Sequence, residues 1–133
     1  MVRLILALVA GVLAGGVTVG VVETIGHMIF PPPPGLNAAD PESIRSVMDQ
    51  ISLEAKVAVV VAWGLGVFVG GLVAALIARR GPYPAWWIGA ILFGMAAWTM
   101  IMIPHPIWMW AAAIAVTLIA SYLAGRIGGR THA

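Results

Sequence analysis

Four long apolar runs leave this chain few ways to fold: Leu4 to Phe30, Val57 to Ala78, Ala85 to Ile103 and Ile107 to Gly125. The first three are long enough to cross a hydrocarbon core of about 30 Å as helices, and the fourth just reaches. Composition agrees, with 62% hydrophobic and 9% charged residues, where soluble domains carry about 25% charged. The expected fold class is all-α: an integral membrane four-helix bundle in a single domain, residues 1–133, with a short amphipathic helix in an outer loop.

The first run opens after Arg3 and passes small residues at Ala14, Gly15 and Gly16, so it resembles a secretion signal in part. It continues to Phe30, about twice the usual signal core, and lacks an Ala-x-Ala site. It is expected to stay as the first span. The chain has no cysteine, which excludes disulfides, thiol catalysis and thiolate metal sites.

Charge placement sets an expected orientation. Arg3, Arg79, Arg80, Arg126 and Arg130 fall on one side of the spans, Arg45 and Lys56 on the other. By the positive-inside rule both termini are cytoplasmic, as in a multi-pass protein of a bacterial inner membrane. Asp40, Glu42, Asp49 and Glu54 all fall in the outer loop, residues 31–56. The net charge of +2 therefore reflects topology, and the partners implied are the lipid bilayer and other membrane helices, with no nucleic acid.

The outer loop begins with a stiff Pro31–Pro34 rod. Asp40-Pro41-Glu42 then reads as an N-cap, first helical residue and first-turn acid, and Ile44, Val47, Met48 and Ile51 recur at helical spacing. These predict an amphipathic helix over about 41–52. The links at 79–84 and 104–106 are short enough to force antiparallel hairpins. Tyr83, Trp86, Trp87, Trp108, Trp110 and Tyr122 sit near span ends, as interface anchors do. Leu72–Arg80 aligns without gaps to Leu118–Arg126, a hint of duplicated hairpins.

Small residues suggest where helices approach closely. Gly66, Gly70 and Ala74 form a four-spaced stripe on the second span. On the first span Gly16, Gly20, Glu23 and His27 stand at offsets of 4, 7 and 11 residues, an arc of roughly 60°. That smooth face is expected to meet a neighbouring helix and to turn Glu23 into protein.

Glu23 is the one acid within the four runs, and His27 follows it by four residues. A carboxyl group in lipid is costly unless it is paired, protonated or solvated. The pair reads either as a proton- or cation-coupling site or as a structural lock between helices. A divalent metal such as zinc or iron would need Glu23, His27 and His105 brought together; no other cofactor is implied. Met28, Met95, Met100, Met102 and Met109 offer thioethers for Cu(I), but they also fit ordinary packing. No nucleophile elbow, phosphate loop or His-Glu-x-x-His motif is present.

A glycine-rich first helix ending in Glu23-x-x-x-His27, then Pro33-Pro34-Gly35-Leu36, Asp40-Pro41-Glu42 and a glycine-rich second helix closing on Arg79-Arg80, resembles small bacterial inner-membrane proteins of unknown function. The resemblance spans nearly the whole chain and implies the fold and location, but no activity. Small multidrug exporters also have four helices and a first-helix glutamate, yet lack this long outer loop and its biased charge. The leading expectation is a non-enzymatic, self-associating or accessory subunit. The alternatives are a small transporter or channel component using Glu23 and His27, and a metal-dependent or lipid-modifying membrane enzyme.

Overall fold

A computed structural model of the chain describes residues 2–31, 40, 42, 51–103 and 105–130. Among them are four helices: α1 (Val2–Ile29), α2 (Leu53–Ala78), α3 (Tyr83–Met102) and α4 (Ile107–Arg130). All four are long and apolar enough to cross a membrane. The chain is an all-α, multi-pass membrane protein. Residues 41 and 43–50 of the expected helix over 41–52 and the Pro32–Pro34 part of the rod lie outside the described residues, while Ser52, at its expected end, is extended.

The ends of the spans differ from the sequence expectation, each for a local reason. α2 starts four residues early because Ser52 caps it: its Oγ accepts from the Ala55 amide at 3.2 Å, with Glu54 in the first turn. This moves Glu54 and Lys56 from the loop into the helix. At the other end α2 closes on Arg79 in the left-handed region, φ 55°, whose amide donates to the Ala75 carbonyl. Pro84 stands in the first turn of α3, where a proline costs nothing.

α4 runs five residues past Gly125, to Arg130. Glycine is a poor helix former in isolation, but here it admits a neighbour. A Cβ at Gly125 would meet Pro82 at 2.9 Å, and one at Gly129 would meet the Gly81 carbonyl carbon at 2.9 Å. The end of α4 therefore rests against the α2–α3 turn.

Every helix packs on α2, which is the axis of the bundle. α1 runs antiparallel to it through two backbone-to-backbone approaches, Gly11 on Gly70 and Gly15 on Gly66. Ile88 and Leu92 of α3 reach α1 at the same two glycines. Gly71 and Ala75 admit α3 and α4 on the opposite side of α2, through Ala85, Ala124 and Gly128. α1 and α4 scarcely meet. A twofold relating the two hairpins would pair α1 with α4 as α2 pairs with α3, so the packing does not follow the hinted repeat.

The core falls into two clusters. Val67, Ala74, Ile88, Leu92 and Ala120 form one, and Val60, Met100, Met109 and Ala113 the other. Ile5, Leu6, Val9, Leu13, Val17 and Val21 of α1 remain exposed, as expected for a surface solvated by lipid tails. The arginines Arg3, Arg79, Arg80, Arg126 and Arg130 stand at one end of the bundle, the basic end. His27, Glu54, Lys56 and His105 stand toward the opposite end, the histidine end.

Candidate functional site

The tightest glycine contacts lie in the basic half of the bundle, up to the Gly15–Gly66–Leu92 layer; beyond it a Cβ at Gly64 would meet Val116 at 3.3 Å and one at Gly26 would meet Ala58 at 3.4 Å. A crevice of about 1020 Å³ opens toward the histidine end, with residues from all four helices in its walls. Its size lies at the upper end of ordinary ligand sites, about 300–1,000 Å³. None of the residues buried in the basic half, such as Ala74, Ile88 or Ala124, lines it. The crevice is therefore blind at the basic end.

Its walls change character with depth. Val67, Leu92, Ala113 and Thr117 line the deep end, and Val59, Phe93, Ala96 and Met109 the middle. Glu23, His27, Glu54, Lys56 and His105 surround the wider part. Gly16 of α1 and Met95 of α3 both line it and are both exposed, so the crevice also opens sideways between α1 and α3.

Glu23 and His27 lie in this wall together, Glu23 half-buried and His27 exposed. Among the described residues no hydrogen bond or ion pair within 4 Å joins them. The hydroxyls of the same region are turned into their own helices. Thr24 donates to the Gly20 carbonyl at 2.7 Å and Thr99 to the Met95 carbonyl at 3.1 Å. These bonds satisfy the donors and leave the oxygen lone pairs available.

His105 is placed by two contacts. Its Nδ1 lies at hydrogen-bond distance from the Ile103 carbonyl, and its ring stands 6.4 Å from that of Trp63, centroid to centroid. Among the described residues no three His, Asp or Glu side chains converge closely enough to hold a metal ion, so Glu23, His27 and His105 share a crevice without forming a centre.

The helix-packing residues divide. Gly66, Gly70 and Ala74 are buried at the α1–α2 seam. Gly16 and Gly20 are not: a Cβ at either would meet nothing within 4 Å. The seam belongs to Gly11 and Gly15, about 100° around the helix from Gly16. The expected close-packing face is thus a smooth open face. On it a shallow groove runs over Gly20, bordered by Val17, Val21, Thr24 and Ile25.

Three residues of the crevice carried no functional expectation from sequence. Glu54 and Lys56 read from sequence as residues of the outer loop. Trp63 carried a usable signal, since it stands ten residues into α2, about 15 Å from the helix start and away from the interface where tryptophans collect. Comparison with family models, curated proteins and solved structures finds no match to this chain.

Proposed function

We propose that this chain is a non-enzymatic subunit of a bacterial inner membrane that associates with a second copy of itself through α1. The observation that carries this reading is the open groove over Gly20, next to the unfilled surface at Gly16. Between membrane helices there is little hydrophobic drive, and association depends on close backbone approach at small residues. α1 already uses this chemistry once, at Gly11 and Gly15 against α2. Its second smooth face offers the same geometry to a helix from outside the bundle. The arginine-rich end supports cytoplasmic termini, and the resemblance to small four-helix inner-membrane proteins supports the location.

Cysteine cross-linking in native membranes tests this, because the chain has no cysteine of its own. Gly20→Cys and Val17→Cys should each give a disulfide-linked dimer, while Ile119→Cys, exposed on α4, should not. Intact-particle mass after gentle extraction should show more than one chain. A single-chain particle together with no cross-link at Gly20 would overturn the reading.

A second reading rests on Glu23 and His27 facing the same crevice: coupling of proton or cation movement to a conformational change. Glu23→Gln should then abolish flux in proteoliposomes without loss of folded protein. Unchanged flux in that variant, or none in the wild type, would count against it.

A further inference from the structure

We propose that the crevice holds one phospholipid with a zwitterionic headgroup, an acyl chain between the helices and the headgroup at the histidine end. From Glu54 to Val67 the wall follows α2 for thirteen residues, about 20 Å, or roughly two-thirds of the hydrocarbon thickness. Over the inner part of that depth the lining side chains are apolar except for Thr117. A hydrated ion would find little beyond the Thr117 hydroxyl there, whereas an acyl chain needs no polar partner.

Access agrees with that occupant. The sideways opening between Gly16 and Met95 faces the surface where α1 and α3 expose apolar side chains. An apolar slot open to a bilayer is filled by the molecules around it, which are lipid tails. The blind basic end suits a chain that enters and stops, and gives no path through the protomer.

The rim selects the headgroup. Glu23 and Glu54 contribute carboxyl groups, Lys56 an ammonium, and His27 an imidazole. Among these described rim groups, an anionic headgroup would engage Lys56 and offer nothing to the two carboxyl groups. A cationic one would do the reverse. A phosphate joined to an amine supplies both signs at once, which is the complementarity that a mixed rim rewards.

The test uses the full chain reconstituted in vesicles of equal phosphatidylethanolamine and phosphatidylglycerol, then released for intact-mass measurement. One lipid per chain should survive, with phosphatidylethanolamine retained about fivefold more often than phosphatidylglycerol. Ala96→Phe, which fills the slot, should lose that lipid. Lys56→Gln and Glu54→Gln lie at the rim, away from the core, and should keep a bound lipid at the bilayer ratio. The proposal is overturned if wild type retains no lipid, retains both lipids in the bilayer ratio, or keeps its lipid unchanged when Ala96→Phe is folded.

Discussion

Gly70 stands so close to Gly11 that a Cβ on it would lie 2.5 Å from the Gly11 carbonyl oxygen. The obstacle is backbone, so a side chain cannot be accommodated by a change of rotamer. The same two helices meet one turn further along, where a Cβ on Gly15 would lie 2.8 Å from the Gly66 carbonyl oxygen.

Gly70→Ala should therefore destabilise the protein by about 1–3 kcal/mol through overpacking, read as a lower unfolding midpoint in mixed micelles. Gly16→Ala is the matched control. With nothing within 4 Å, it should leave the fold intact or stabilise it by about 0.5–1 kcal/mol, the usual gain of alanine over glycine in a helix. A loss in Gly16→Ala with none in Gly70→Ala would mean that α1 packs through the other face.

The α3–α4 contact makes a second prediction, through Ser121 and Gly89. Ser121 is fully buried, and its Oγ has no hydrogen-bond partner among the described residues. A Cβ on Gly89 would fall on that Oγ. Gly89→Ala should lower stability. Ser121→Ala should be neutral or stabilising by about 1 kcal/mol, since it removes an unpaired buried hydroxyl. The double variant should recover most of the Gly89→Ala loss, because the next contact, Ser121 Cβ, stands at 3.3 Å. Simple additivity in that double-mutant cycle would contradict the contact.

The placement of the two ends is testable by labelling single cysteines in intact cells with a reagent that does not cross membranes. Glu54→Cys, exposed at the histidine end, should label from outside. Arg130→Cys, exposed at the basic end, should label only after permeabilisation. The opposite pattern would invert the proposed topology, and labelling of both would point to mixed insertion.

Much of the fold was legible because lipid imposes length and polarity on every span. The four runs, the short links and the arginine bias are properties of the linear chain. Boundaries were less legible where a local signal competed with a tertiary one. Ser52 was hidden inside a stretch that also reads as a loop, and the glycines at 125 and 129 look like a helix end until the Gly81–Pro82 turn is seen beside them. Glu23 and His27 were found by chemistry alone, since charge in an apolar run is visible without structure. Glu54, Lys56 and Trp63 became part of the same crevice only when α2 was extended and turned toward α1.

The sequence by itself determined that this is a four-span membrane protein and that its first span carries an ionisable pair, because hydrophobic length and buried charge are read residue by residue. Tertiary structure decided which glycine face meets α2. Gly11–Gly15 and Gly16–Gly20 are equally smooth to a reader of the chain, and only the fit of Gly66, Gly70, Ile88 and Leu92 selects the first. That selection turns α1 so that Gly16, Glu23 and His27 border a space instead of a neighbour. Small residues permit close approach, but the shape of the partner determines where it happens.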